Sequence, residues 1–257
     1  VTFGVDLTGF STRVTQDGSS WNDGDKIGTY VLDMKTLEPV TEAANVPYVC
    51  SEEGASVSFT STTPLKVQND GTPVKFVAYY PYNADVRNFN YPVQLAAQER
   101  GSTACDLLYA ATKEEYTYSP ENEPHISLNF THRLAKVILK FVNMEKEPLE
   151  VSDVRIEGMQ TAASFNIQTD VLTVDESSVA TINPYHNATT GFYEAIILPS
   201  ALTDSYKVSF VLDDREKEWI FTNLDIALPQ FHKGYSYTFA LYIDCLLYTS
   251  PSPRDYA

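Results

Sequence analysis

The side chains best able to do chemistry are few and widely spaced. The 257-residue chain has four histidines, and no two lie within five residues of each other. A zinc site needs several His, Cys or acidic ligands at short spacing, so this pattern argues against one. The sequence also lacks a Gly-x-Ser-x-Gly turn and a phosphate-binding glycine loop. We therefore predict that the protein is not an enzyme, with no catalytic, cofactor-binding or metal-binding residues.

The three cysteines, Cys50, Cys105 and Cys245, allow two interpretations. One is a single disulfide between Cys50 and Cys105. The other, which we favour, is that both are buried thiols that pack as small apolar groups. Neither has basic sequence neighbours that would lower its thiol pKa, so neither is expected to be a nucleophile.

The charge balance excludes several classes of partner. The chain has 18 Lys and Arg residues against 34 Asp and Glu residues, a formal net charge of −16. A surface this acidic repels phosphate backbones and anionic lipids, so nucleic acid is not an expected partner. No apolar run approaches the roughly 20 residues that span a bilayer. The chain begins at Val1, and we expect an export signal to be absent from it.

Most of the sequence has a pattern that is typical of β-strands joined by turns. Short runs rich in Val, Ile, Thr, Tyr and Phe alternate with Asp, Asn, Gly, Ser and Pro, which favours strands and turns. Asp213 and Asp214 are predicted to form a hairpin tip. The best helical candidate, 93–98, would make one or two turns at most. The predicted strands are 26–32, 57–59, 74–80, 126–130, 135–142, 151–157, 195–198, 207–212, 219–222 and 235–243.

This pattern of strands without long predicted helices indicates an all-β protein. Its sheets should be antiparallel, because parallel sheets need crossover helices. Residues 116–124 contain two prolines and no aliphatic residue, and they form the predicted linker. They divide the chain into halves that each suit one β-sandwich. The predicted domains are 1–124 and 125–244, in tandem, followed by a tail at 245–257.

Several local motifs, in this order, resemble the fimbrillin-like proteins of Bacteroidetes, which are subunits of surface pili. Each motif alone is weak, but their order and spacing over residues 21–243 are specific. They are WNDGDKIG at 21–28, AYYPY at 78–82, DLLYA at 106–110, LNFTHRLAKV at 128–137, AIILPS at 195–200 and FHKGYSY at 231–237.

The resemblance implies two transthyretin-like β-sandwich domains and a structural or adhesive pilus subunit. It implies export as a lipoprotein precursor and display at the outer membrane or in the fimbrium. The expected partners are other pilin subunits, bound by strand donation, and a host or bacterial surface ligand. Stalk, tip and anchor roles all stay open, and so does the adhesion ligand.

Two local predictions follow from these motifs. Residues 128–142 should form a central strand or strand pair of the second domain, with Phe130, Leu134 and Val137 or Ile138 inside and a register shift near Ala135. His132 should be a core histidine bonded to the backbone.

Residues 245–257 do not resemble the family's last strand. We expect a non-native or disordered tail there, with a native Pro-rich tail as the alternative.

A second function from another class is a surface glycan-binding lipoprotein of a polysaccharide-uptake system. Exposed aromatic rings could stack on sugars in such a protein, and the candidates are Tyr80, Tyr82, Phe89 and Tyr91. Packing in the strand core explains most of these residues more simply. A secreted hydrolase is a third and weaker alternative.

Overall fold

The computed structural model describes residues 2–7, 20–40, 44–67, 70–101, 103–118, 125–143, 146–203, 205–220 and 230–243. Within these ranges the chain forms 19 strands and one 3-10 turn, Thr103–Cys105, so the all-β prediction is confirmed. No helix in these ranges is long and apolar enough to span a membrane. The strands are β1 (Thr2–Leu7), β2 (Lys26–Asp33), β3 (Val46–Cys50), β4 (Ser56–Thr60), β5 (Val74–Tyr80), β6 (Asn90–Gln94), β7 (Leu108–Ala111), β8 (His125–His132), β9 (Ala135–Asn143), β10 (Ser152–Glu157), β11 (Ala162–Asn166), β12 (Val171–Val174), β13 (Tyr185–Asn187), β14 (Phe192–Ile197), β15 (Ser200–Ala201), β16 (Lys207–Leu212), β17 (Arg215–Ile220), β18 (Gln230–Phe231) and β19 (Ser236–Ile243).

Seven strands close into a barrel in the order β1-β4-β3-β2-β5-β7-β8. Alternate residues of β2 and β5 point inward, so Ile27 and Val31 of β2 share one core with Phe76 and Ala78 of β5. The prediction for this half was a sandwich of two sheets. The barrel differs because β1 pairs with both β4 and β8 and so joins two strands that would otherwise be edges.

The strand that was predicted to open the second domain belongs to this barrel. His125–His132 pairs with β7 and β1, and Phe130 is fully buried in the barrel core. The placement of 128–142 in the second domain is therefore wrong for its first part. A boundary at 124/125 would separate β8 from its partners β1 and β7. The tandem arrangement of two sandwich domains itself stays a prediction.

The expected irregularity near Ala135 is a change of sheet. The chain leaves β8 after His132 and enters β9 at Ala135, and Leu134 between them packs in a different cluster from Phe130. From there β9 alternates strictly, with Val137 buried and its neighbour Ile138 only half-buried. No bulge is needed, because two separate strands explain the broken pattern.

Two further sheets share a second core in the C-terminal half. One is β10-β16-β17 and the other is β13-β14-β9-β19. Leu139 and Phe141 of β9 lie in one buried cluster with Val208 and Phe210 of β16 and with Phe239 of β19. The rings of Phe141 and Phe210 are 4.8 Å apart. Burial of these alternating apolar faces holds the two sheets together.

Among the described strands, two pairs are parallel, although antiparallel pairing was predicted. They are β1 with β8 and β9 with β19. A parallel pair needs a long crossover connection, but that connection does not have to be a helix. Here the chain between the partners forms other strands.

A third core joins the two halves. The outer faces of β2, β5 and β7 are also apolar, and Tyr30, Val77 and Tyr109 are buried there. They pack against the sheet β12-β11-β6, in which β6 pairs with β11 from the C-terminal half. The best helical candidate, 93–98, therefore begins within a strand, because pairing with β11 outweighs its local preference.

Gln98 adds a second link between the halves. Its side-chain amide donates to the carbonyl of Ile196 at 2.7 Å and to the carbonyl of Leu95 at 2.8 Å. Its side-chain oxygen accepts from the Ile196 N–H at 2.8 Å. Gln98 is buried and bonds to β14 beyond the end of β13, so its side chain takes the place of a neighbouring strand.

We expect Gln98→Ala to lower the free energy of unfolding by about 3 kcal/mol, because a buried N–H and a buried carbonyl of Ile196 would each lose this partner. Chemical denaturation monitored by circular dichroism measures this. Gln94→Ala, at an exposed position four residues earlier, is the control and should change stability by less than about 0.5 kcal/mol. Equal effects of the two substitutions would contradict the assigned role of Gln98.

The predicted hairpin tip at Asp213 and Asp214 is confirmed. These residues connect β16 to β17, with Leu212 paired to Arg215. Their φ angles are +50° and +58°, as a two-residue type I′ turn requires, and Asp tolerates this conformation. The predicted tail at 245–257 lies outside the described residues, as do residues 119–124 of the predicted linker.

Candidate functional site at the first strand

The strand β1 is held on both sides along its length. It runs parallel to β8, from Thr2 opposite His125 to Leu7 opposite Phe130. On its other side it runs antiparallel to β4. Within the described residues, β4 and β8 do not pair with each other, and β1 is the strand that lies between them. Removing β1 would therefore open the barrel at one place and expose two strand edges.

The two strands beside β1 form the walls of a groove, which we call the β1 groove. Its buried residues are Val57 and Phe59 on β4 and Ile126, Leu128 and Phe130 on β8, all at most 6% exposed. They alternate with exposed residues along both strands. An occupant therefore needs a period-2 apolar pattern as well as a free backbone ladder.

The sequence of β1 has this pattern. Apolar Phe3, Val5 and Leu7 alternate with Thr2, Gly4 and Asp6. The register places Phe3 opposite Phe59 and Val5 opposite Val57, so apolar positions of β1 meet the buried positions of β4. The sequence shows the short alternating strand at the start of the chain, but it does not show which strands lie beside it.

Trp21 supports both walls of the β1 groove. It is fully buried, and its ring packs edge-to-face against Phe59 of β4 at 5.0 Å and Phe130 of β8 at 5.4 Å. Two backbone hydrogen bonds with Gly54 hold the Trp21 backbone in place. One side chain thus bridges the two strands that β1 joins, through aromatic contacts that favour this geometry.

Each glycine of the WNDGDKIG motif lies where a larger residue would not fit the local structure. Gly24 has a φ of +87°, which suits the tight turn before β2. Gly28 lies within β2, where a Cβ atom would come within 2.3 Å of the Tyr79 ring. The second glycine therefore allows close packing of an aromatic ring on the strand.

His132 has a different partner from the one predicted. Its Nδ1 lies 2.8 Å from the Asp106 carboxylate, and both side chains are largely buried. The expectation of a backbone bond is therefore wrong, although His132 is a structural histidine packed beside the core. Leu108 pairs with His132, so the motifs DLLYA and LNFTHRLAKV lie side by side. The pair links the end of β8 to the segment before β7.

Cys50 and Cys105 are free thiols, as favoured from the sequence. Cys50 is buried in the barrel core and donates to the Glu52 carbonyl, and Cys105 is half-buried. Burial raises the pKa of both thiols, so the reactive thiolate is disfavoured. Within the described ranges, no group of three or more His, Cys, Asp or Glu side chains is placed to hold a metal ion.

The four aromatic candidates for sugar stacking do not form one exposed platform. Tyr80 is buried in the barrel core, and Tyr91 is buried in the third core. Tyr82 and Phe89 are only half-buried and line one cleft. Tyr80 and Tyr91 are therefore core residues, whereas a ligand could reach Tyr82 and Phe89.

Comparisons with known proteins agree with this fold. A cell adhesion candidate from Bacteroides uniformis superimposes with a TM-score of 0.76 at 22% identity, covering 94% of this chain and 92% of that one. A second candidate cell adhesion protein, from Bacteroides ovatus, superimposes with a TM-score of 0.69 at 17% identity, covering 95% of this chain and 91% of that one. A fimbrial assembly protein from Parabacteroides distasonis superimposes with a TM-score of 0.54 at 12% identity, covering 93% of this chain and 90% of that one. At these identities the likeness shows a shared fold. The sequence has no significant match among curated proteins.

The family comparison covers most of the chain. The profile of the fimbrillin-like family matches residues 12–249. This range includes each of the motifs that suggested the resemblance, from Trp21 to Tyr237. The chain therefore belongs to the fimbrillin-like family.

Proposed function

We propose that this protein is a structural or adhesive subunit of a Bacteroidetes surface pilus that assembles by β-strand donation. Membership of the fimbrillin-like family supports the pilus part of this proposal. The position of β1 supports the strand-donation part. In this proposal the chain is exported as a lipoprotein precursor, acts at the cell surface and is not an enzyme.

The β1 groove is the acceptor site in this proposal. A donated strand that replaces β1 would make backbone hydrogen bonds to β4 on one side and β8 on the other. The alternating buried residues of the groove would select a strand with apolar side chains at every second position. Such a replacement keeps the barrel closed, because the incoming strand restores the same two ladders.

Strand donation also suits the charge of the chain. Two copies that each carry a formal charge of −16 repel each other. Backbone hydrogen bonds and apolar burial do not depend on opposite charges, so they can hold like-charged subunits together. The proposal therefore places the affinity between subunits in the β1 groove.

A reversible disulfide between β1 and β4 tests whether a donated strand replaces β1. Gly4 and Ser58 are register partners, and Ser58 is exposed, so Gly4→Cys with Ser58→Cys would join β1 to β4 by a disulfide. We expect the oxidised double variant to fold as a monomer but to be absent from assembled pili. Reduction should restore incorporation, and the single Gly4→Cys variant should be incorporated in either state. Incorporation of the oxidised double variant at the wild-type level would overturn strand replacement at this groove.

A further inference from the structure

A cleft of about 440 Å³ lies on a part of the barrel that the β1 groove does not use. It is bounded by β2, the segment before β3 and the connection from β5 to β6. Its volume lies within the range of small-ligand sites. The residues that matter for its chemistry are Tyr30, Asn45, Tyr82, Arg87, Asn88 and Phe89.

One side of the cleft is aromatic. The rings of Tyr30 and Phe89 are 4.7 Å apart and tilted by 44°, and Tyr82 lies half-buried on the same cleft. Burial raises the pKa of Tyr30 to about 12, with a further contribution from Tyr82. Tyr30 is therefore a neutral hydroxyl at neutral pH. Ring faces and neutral hydroxyls suit a ligand with both apolar C–H faces and hydroxyl groups, as a pyranose has.

An amide in the cleft is held in a fixed orientation. The Asn45 Nδ2 donates to the Asn83 carbonyl at 2.8 Å, and its Oδ1 accepts from the Tyr79 hydroxyl at 2.6 Å. A polar group that is already fixed loses little conformational entropy when a ligand binds. Asn45 therefore resembles the few fixed polar groups that orient ligands in small-molecule sites.

Arg87 supplies the charge of the cleft. Its Nη1 donates to the carbonyls of Ala84 at 2.7 Å and Val86 at 2.9 Å, which fixes the guanidinium. Across the described part of the chain, Arg87 forms no ion pair with a carboxylate. The described cleft lining also contains no acidic residue, although acidic residues outnumber basic ones by 34 to 18. A fixed guanidinium in such a setting suits an anionic group, above all a carboxylate bound through two N–H groups.

The backbone around the cleft is unusual. Asn45, Asn88 and Phe89 have φ angles of +54°, +50° and +63°. This conformation is uncommon for a bulky residue such as Phe89, and such residues often occur at ligand sites. The Phe89 carbonyl accepts from the Ile167 N–H at 2.9 Å, which helps to hold this segment in place.

We propose that this cleft binds an acidic saccharide, in which a pyranose ring lies against Tyr82 and Phe89 and its carboxylate pairs with Arg87. Asn45 and Asn88 would contact the hydroxyl groups. The inference does not depend on pilus assembly, because every group involved belongs to one chain.

The test measures binding of the isolated, folded protein to a glycan array with uronic-acid, sialic-acid, phosphorylated and neutral members. We expect retention on carboxylated glycans. For the strongest of these, calorimetry should show at least 10-fold tighter binding than for its neutral counterpart, such as trigalacturonate against its methyl ester. Arg87→Gln should lower the affinity for the acidic ligand at least 10-fold. Arg100→Gln, the same change at an exposed position outside the cleft, should leave it unchanged.

Other results would overturn the proposal. These are retention of no carboxylated glycan, equal binding of the acidic ligand and its neutral counterpart, or binding restricted to phosphorylated glycans. Unchanged binding by a correctly folded Arg87→Gln variant would place the site elsewhere. Thermal melting of each variant establishes that the protein is folded, and Arg87→Lys provides a second variant that keeps the charge but loses the planar fork. It should bind more weakly than the wild type.

Discussion

Replacing Trp21 by alanine should lower the free energy of unfolding by about 3–5 kcal/mol, in line with other buried Trp and Phe truncations. Trp21 is fully buried and contacts residues on both strands that flank β1. Its indole Nε1 has no hydrogen-bond partner within the described residues, so the expected loss comes from apolar packing. The variant should also weaken the β1 groove, because Phe59 and Phe130 lose their common neighbour.

Urea denaturation followed by far-ultraviolet circular dichroism measures this loss without relying on tryptophan fluorescence. Tyr242→Ala removes an aromatic ring that is 57% exposed and should change stability by less than about 0.5 kcal/mol. A loss below about 1 kcal/mol for Trp21→Ala would show that Trp21 does not support the barrel as described.

The second large effect is expected at a buried ion pair. The Lys136 Nζ lies 2.6 Å from the Glu194 Oε2, and their side chains are 11% and 2% exposed. The other oxygen of Glu194 accepts from the Asn187 side chain at 3.1 Å. Lys136→Met should cost about 3–5 kcal/mol, because it removes an ammonium group that contacts a buried carboxylate.

A double-mutant cycle separates the lost partner from lost packing. Lys136→Met together with Glu194→Gln should recover most of the stability, since both buried charges of the pair are then removed. Glu216→Gln is the control, because it breaks an ion pair with Arg155 whose side chains are 38% and 62% exposed. It should cost at most about 1 kcal/mol. Strict additivity at Lys136 and Glu194 would contradict the coupling.

The strands were predictable where local patterns were strong. Val74–Tyr80 and Lys207–Leu212 match their predicted bounds, since runs of β-branched and aromatic residues carry that information within the segment itself. The turn at Asp213 and Asp214 was also predictable, because its preference is local.

Strand partners were less predictable, because pairing depends on residues far apart in sequence. β8 has the same alternating pattern whether it pairs with the barrel or with β9, so the sequence did not decide to which half Phe130 belongs. The closure of the barrel depends on β1 meeting both β4 and β8, and nothing local to 2–7 specifies two partners.

The candidate sites show the same limit. Tyr82 and Phe89 were identified from composition alone, but Tyr80 and Tyr91 were grouped with them because alternation cannot show which face meets a second sheet. Arg87 and Asn45 were not identified at all, because they meet only when the segment before β3 approaches the connection after β5. The β1 groove was likewise not located, although the alternating first strand was noticed.

We propose that a strand from another subunit replaces β1 between β4 and β8. Cryo-electron microscopy of pili assembled from this chain would trace the strand that pairs with Val57 and Phe59 on one side and with Leu128 on the other. We expect this strand to be continuous with a neighbouring subunit. A strand continuous with the subunit's own residues 2–7, in every copy along the pilus, would contradict it.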